Sequence, residues 1–297
     1  MLPETVTRFA PSPTGLLHLG HAYSALFAFD AARQHGGRFV LRIEDIDFTR
    51  CRREFEHAIL EDLAWLGIAW ETPVRRQSEH MTEYAAAAER LQRRGLLYPC
   101  FCTRKDILRE IEAAGGAPHG PEGTLYPGLC RNLSADEQQT RMAAGESFAM
   151  RLNLERAVAE MGRALDWMDL QRGIQKAQPE IFGDVVLVRK DIGCSYHLAV
   201  VLDDALQGIT RITRGEDLFD ATHVQRLLQA LLGLPTPDYH HHRLVCDAAG
   251  IRLAKRDDAE SLRSLRLRGI SAQEVRAQFG FGTTQAGPQV AASAGFA

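Results

Sequence analysis

Arg8-Phe9-Ala10-Pro11-Ser12-Pro13-Thr14-Gly15-Leu16-Leu17-His18-Leu19-Gly20-His21 decides the fold, because of what stands on either side of it. Before it, Thr5–Ala10 is a β-prone run that Pro11 and Pro13 cannot continue, so a strand must stop there. Toward its end, the Ala-, Leu- and Phe-rich run Leu19–Gln34 predicts a helix that Gly36-Gly37 stops. Arg38–Ile43 then alternates as a strand does and finishes at Glu44-Asp45-Ile46-Asp47. Strand, helix and strand make a βαβ unit with parallel strands, and such sheets take ligands at the carboxyl ends of their strands. Both unusual sequences, the Pro-rich loop and the acidic cluster, fall at those ends. The expected class is α/β, with a parallel sheet.

His18 and His21, three residues apart at the opening of a helix, share one face of its first turn. A helix N-terminus also offers unpaired N–H groups and the positive end of a dipole. Gly20 leaves room for a base or ribose to approach the backbone. Together these residues form a cradle for triphosphate charge. The plainer alternative is a helix cap with incidental histidines.

Further along, Arg52–Gly67 predicts an amphipathic helix with Phe55, Ile59, Leu63 and Leu66 on one face, and Thr82–Arg94 a second helix. The composition changes at Tyr98-Pro99, after which come a cysteine cluster and a Gly/Pro-rich loop, Ala113–Gly128. Strands are expected at Asp184–Lys190, Tyr196–Leu202, Gly208–Thr213 and Tyr239–Cys246, with a helix at Ala221–Leu232. His240-His241-His242 reads as part of that last strand, since only His240 and His242 share a face and no metal-ligand pattern accompanies them. The uncharged Ala/Gly/Ser/Gln tail 283–297 is expected to be disordered.

With 45% hydrophobic and 25% charged residues, the 297-residue chain has the balance of a globular protein, not of a disordered or fibrous one. No apolar run approaches the roughly 20 residues needed to span a bilayer. Met1–Thr5 lacks the basic flank and apolar stretch of a signal peptide, so a cytoplasmic protein without a membrane partner is expected. A net charge of -3 excludes a protein that coats nucleic acid non-specifically, but not a local RNA-binding face.

Six cysteines are too few for a disulfide-stapled domain of this length. Cys51, Cys194 and Cys246 stand alone. Cys100, Cys102 and Cys130 instead suit the tetrahedral shell of a structural zinc, with a fourth ligand from the same loop. His119, in the same loop, is the chemically ordinary candidate for that ligand.

The Arg8–Gly15 block with His18-Leu19-Gly20-His21 resembles the HIGH signature of class I aminoacyl-tRNA synthetases, in the form of the glutamyl branch. Arg42-Ile43-Glu44-Asp45-Ile46-Asp47 is similar to that branch's RIEDTD run, with Ile46 in place of threonine. Ser195–Asp204 resembles its TYN-type segment, and Ile212–Leu218 its IRGED segment. Arg252-Leu253-Ala254-Lys255-Arg256 resembles its KMSKS loop, with Ala254 where serine is frequent. The blocks follow the family's order.

The resemblance implies a Rossmann-like catalytic domain in two halves, residues 1–98 and 184–246. It also implies an inserted zinc-binding α/β subdomain at 99–183 and a short KMSKS-loop and helical segment at 247–282. A glutamate substrate brings two carboxylates and an ammonium; arginine is the natural partner of the former and a buried carboxylate of the latter. The implied glutamate pocket is Arg8, Phe9, Ala10, Pro11, Ser12, Glu44, Tyr196 and Arg214, with the carboxylate ends not apportioned between Arg8 and Arg214. Pro11, His18, Gly20, His21, Lys255 and Arg256 would bind ATP, brought in with Mg²⁺, and His18, His21 and Lys255 would be catalytic. The resemblance also makes Tyr126 the fourth zinc ligand beside Cys100, Cys102 and Cys130.

After Arg256 only about 40 residues remain, and without the tail expected to be disordered they fall below the roughly 40 of an independently stable domain. No anticodon-binding module of the usual kind is therefore expected, and the chain resembles the truncated paralogues of the branch that glutamylate queuosine in the anticodon arm of tRNA(Asp). A monomer is expected. The competing readings are a short synthetase that charges the tRNA 3′ end and a non-catalytic paralogue that binds RNA or amino acid.

Overall fold

A computed structural model describes residues 4–113, 119–246 and 260–282. The chain divides into two compact units. The first takes in the chain up to Arg76, Thr210–Glu216 and the chain from His240 onward; the second takes in Gln77–Ile209 and Asp217–Tyr239.

In the first unit, the strand Val6–Phe9 pairs in parallel with Arg38–Ile43, which pairs in parallel with Arg75–Arg76. The helix Leu19–Gln34 connects the first two strands, so the βαβ unit stands with the expected bounds. Gly36 turns the chain out of the helix at φ +61°, and Gly37 lies so close to Thr5 that a Cβ would stand 1.9 Å from its carbonyl oxygen. Thr5 then accepts from Arg38 N–H at 2.9 Å and sets the register. The core of this unit gathers Leu17, Leu26, Leu41 and Ile43 with Ile59 and Leu63 from the helix Arg53–Trp65. Leu262, Leu265 and Val275, from two short helices Leu262–Leu267 and Ala272–Gln278, close it.

Asp62 lies on the buried side of the helix Arg53–Trp65, fully enclosed, and no hydrogen bond among the described residues reaches either of its oxygens. Burial pushes its carboxyl up to about 6, against the pull of Arg266, whose Nη2 is 3.3 Å from Oδ1. A carboxyl raised in the folded state favours folding while it is protonated. That contribution is complete below the ordinary carboxyl pKa and is lost as pH rises through about 6. Asp62→Asn is accordingly expected to gain on the order of 1–3 kcal/mol of unfolding free energy at pH 8 and little at pH 4. Urea titrations at the two pH values test this, and an equal effect at both contradicts it.

In the second unit, Leu97–Cys100, Ala149–Leu152 and Val186–Val188 form an antiparallel sheet with Ala149–Leu152 in the middle. The helices Arg104–Ala113, Ala135–Ala143 and Leu154–Met161 and the hairpin Asp166–Asp169/Gly173–Lys176 complete the region after the composition change. Within the Gly/Pro-rich loop, His119–Gly120 pairs with Gly123–Thr124.

Three expectations need correction. Tyr196–Leu202 is not a strand but the start of the helix Tyr196–Leu206. Ser195 caps it, its Oγ accepting from Leu198 N–H at 3.4 Å, and every residue from His197 to Asp204 is buried. An apolar run enclosed on all sides carries no periodicity with which to tell helix from strand. Asp203 and Asp204 fit inside because the helix turns them inward; Asp203 accepts from Gln77 Nε2 at 2.7 Å and from the Tyr84 hydroxyl at 3.0 Å. The expected strand Gly208–Thr213 is shifted to Arg211–Gly215, and Tyr239–Cys246 shortens to Asp238–His242. Segment 247–259, with Lys255 and Arg256, and the tail 283–297 lie outside the described residues.

Candidate functional site

The first unit holds the Pro-rich loop, both histidines, Glu44 and the two arginines. Arg8 is buried on the first strand, and its Nη1 donates to the Thr213 carbonyl at 3.0 Å. Phe9 turns into the core, Pro11 is buried and Ser12 is exposed. The loop is docked on the acidic cluster, because Pro11 O accepts from Glu44 N–H at 3.0 Å and Pro13 O from Arg52 N–H at 2.9 Å.

His18 and His21 cap the helix themselves. His18 Nδ1 accepts from Gly20 N–H at 3.1 Å, and His21 Nδ1 accepts from His18 N–H at 3.2 Å, a capping box built from imidazoles. Their rings lie 3.8 Å apart, centroid to centroid. With Nδ1 accepting, each neutral ring carries its proton on Nε2, a donor at the positive end of a helix dipole. Cap and anion cradle are thus the same two residues. The chain that returns after residue 259 lands beside them: Ser261 forms a bridge with His18, and Leu262 N–H donates to Leu17 O at 2.8 Å.

Glu44 is buried at the carboxyl end of its strand, with Arg42 Nη2 3.2 Å from its Oε1. Arg42 is fully buried, and an arginine enclosed without solvent needs such a partner. Arg214 is buried in the strand Arg211–Gly215, and its Nε donates to His241 Nε2 at 3.0 Å. Sequence reasoning missed Arg42 and His241. The signal for His241 was alternation: His240 and His242 pack edge-on against Phe27 and Tyr23, which turns His241 to the other face.

Tyr196 belongs to the second unit, at the first position of its helix. There it lines a cavity of about 340 Å³ together with Tyr126, Arg151, Ser195, His197 and Glu122. His197, also missed, is buried, and its Nε2 stands 3.0 Å from Glu122 Oε1, a hydrogen bond that holds the Glu122 carboxyl below its usual range.

In the same unit Cys100, Cys102 and Cys130 converge, their three sulfurs within 4.8 Å of one another. Tyr126 Oη is 3.4 Å from Cys100 Sγ and 3.6 Å from Cys102 Sγ, and Cys102 and Cys130 sulfurs are 3.4 Å apart. A tetrahedron with zinc–sulfur bonds of about 2.3 Å has edges of about 3.8 Å, so these four donor atoms fit a zinc ion. Cys130 N–H also donates to Tyr126 Oη at 2.9 Å, which fixes the phenol at the cluster. Burial pushes the Cys102 thiol up to about 12, whereas at Cys100 the neighbouring Tyr126 hydroxyl and Arg151 guanidinium outweigh burial and lower it. The side chain of His119 lies outside the described residues.

Residues 4–276 match the family "tRNA synthetases class I (E and Q), catalytic domain". Over 93% of its length the chain is 50% identical to the Glutamyl-Q tRNA(Asp) synthetase of Rhodobacter capsulatus and covers 99% of it. It is 40% identical to the Glutamate–tRNA ligase of Aquifex aeolicus, over 90% of this chain and 55% of that protein. Among solved structures, a glutamate tRNA ligase from Elizabethkingia meningosepticum in complex with its amino acid superposes with a TM-score of 0.72 at 28% identity. That match covers 86% of this chain, which spans about half of the solved one, 52%. Among the described residues no helix is long and apolar enough to cross a membrane.

Proposed function

The chain belongs to the class I tRNA synthetase family for glutamate and glutamine, a family of ligases, and on that premise we propose that it activates L-glutamate with ATP and transfers it to queuosine in the anticodon of tRNA(Asp). One observation carries the amino-acid part. At the loop and strand ends of the first unit, two buried arginines, Arg8 and Arg214, accompany a buried carboxylate, Glu44. That is the charge complement of a molecule with two carboxylates and one ammonium. Phe9, Ala10, Pro11 and Ser12 shape the wall of this pocket.

In the first step a glutamate carboxylate oxygen attacks the α-phosphorus of ATP, and pyrophosphate leaves with the electron pair of the broken P–O bond. Pro11, Gly20, the Nε2 donors of His18 and His21, Lys255 and Arg256 hold the phosphates and the nucleoside, with Mg²⁺ arriving as part of the ATP substrate. His18, His21 and Lys255 stabilise charge that grows on the phosphates, which is electrostatic work without an enzyme nucleophile. In the second step an RNA hydroxyl attacks the mixed-anhydride carbonyl and AMP leaves. On this reading the chain acts in the cytoplasm as a monomer on the anticodon arm of tRNA(Asp).

The higher identity to the glutamyl-Q relative than to the glutamate–tRNA ligase supports queuosine over the 3′-terminal ribose as acceptor. Glutamate-dependent ATP–pyrophosphate exchange without any tRNA tests the activation step. Exchange with glutamate but not with glutamine or aspartate is expected, and no exchange with any of the three contradicts the proposal.

Cys100, Cys102, Tyr126 and Cys130 would hold a structural zinc, which when bound cross-links the ends of the loop that follows Cys102. Elemental analysis of the purified chain is expected to find about one zinc per molecule. Chelation is expected to lower the melting temperature, and a metal-free chain that melts identically would return the cysteines to packing.

A further inference from the structure

The cysteine–tyrosine set is more negative than the ion it fits. Zinc brings two positive charges; three thiolates already exceed them, and an anionic oxygen from Tyr126 would add to the excess. Cys100, Cys130 and Tyr126 are buried, and buried charge is costly unless opposite charge stands against it.

Three cations outside the ligand set stand near it: Arg141, which acts on Cys102 and Cys130 at a distance but is paired with Glu146, and two without a carboxylate in contact, Arg151 and Lys190. The Arg151 guanidinium lies over the Tyr126 ring, 3.9 Å from its centroid, a cation–π contact whose strength grows as the ring becomes more electron-rich. Its Nη1 donates to the Asp184 backbone carbonyl at 2.7 Å, and its Nε is buried without a hydrogen bond. Lys190 places its ammonium on the cysteine loop, donating to the carbonyls of Phe101 at 2.9 Å and Cys102 at 3.1 Å. Among the described residues neither Arg151 nor Lys190 is ion-paired with a carboxylate. Their neighbours differ: Arg131 pairs with Asp184 and Arg141 with Glu146. A half-buried arginine and a lysine that have no carboxylate in contact, Lys190 acting on Glu146 only at longer range, both lie against the cysteine set and are placed to balance it.

We propose that Arg151 and Lys190 are the cationic outer partners of the metal centre, and that Arg151, by covering the Tyr126 ring, holds that residue in the ligand set. The proposal rests on the reading of Cys100, Cys102, Tyr126 and Cys130 as a zinc site. Both are positioning residues, acting through the ligands.

Zinc affinity of the purified full chain, measured by competition with a chromogenic chelator at fixed pH, tests this independently of activity. Arg151→Met is expected to weaken zinc binding about 10- to 100-fold, the usual effect of losing an outer-shell partner. Arg151→Lys, which keeps the charge but not the planar stack, is expected to fall between Met and wild type. Lys190→Met is expected to weaken binding several-fold. Because Lys190 is exposed, that variant keeps the test decisive even if Arg151→Met does not fold. Affinities within twofold of wild type for both methionine variants would overturn the proposal. So would an Arg151→Lys protein no better than Arg151→Met, because packing and not charge would then explain the loss. Wild-type protein that binds no zinc would overturn the metal reading itself, an outcome visible before any variant is compared.

Discussion

Lys255→Ala is expected to lower glutamate-dependent ATP–pyrophosphate exchange by about 10²- to 10³-fold while leaving the melting temperature unchanged. The lysine stands in the block that resembles the KMSKS loop. Its proposed task is to meet charge that grows on the phosphates in the transition state, and removal of one such preorganised charge typically has an effect of that size. Lys255 itself lies outside the described residues, but the chain beyond it is fixed. Ser261 bridges His18, and Leu262 donates to Leu17. Near-normal exchange in the variant would remove the lysine from the mechanism.

Arg8→Ala is expected to raise the glutamate requirement about 100-fold and the ATP requirement only a few-fold. Arg8 is buried, and a charge-assisted hydrogen bond lost inside a protein costs about 2–5 kcal/mol, each 1.4 kcal/mol being a factor of ten. Arg8→Lys should recover little, since an ammonium cannot offer the two parallel donors that a carboxylate accepts. The same side chain also ties its strand to Thr213 through that residue's carbonyl, so part of any loss could be structural. The split between the two substrates decides: equal rises for glutamate and ATP would make Arg8 a brace.

Much of this was legible in the sequence because local rules and tertiary packing agree there. The βαβ bounds followed from Pro11, Pro13 and Gly36-Gly37, residues whose backbone preferences leave few alternatives. The convergence of Cys100, Cys102 and Cys130 also followed from residue type and order, and the place of Tyr126 beside them from the family resemblance. Tyr196–Leu206 misled because a helix buried on every side has no polar face to reveal its period. Arg42 and His241 escaped notice for another reason: each acts on a neighbour, Glu44 or Arg214, across a strand end or between strands. The Arg42–Glu44 pair, two residues apart, was open to a reading by alternation, whereas the Arg214–His241 pair is set by strand pairing, which one sequence does not display. The place of Arg151 and Lys190 beside the cysteine set was likewise invisible, since both are distant in sequence from the cysteines they approach.

The most direct measurement is transfer of labelled glutamate to tRNA(Asp) prepared with and without queuosine, each also trimmed of its 3′-terminal adenosine. Label on the queuosine-containing RNA whether or not it is trimmed, and none on RNA that lacks the modified base, is the predicted result. Label that disappears on trimming and ignores queuosine would contradict the account and make the 3′ end the acceptor.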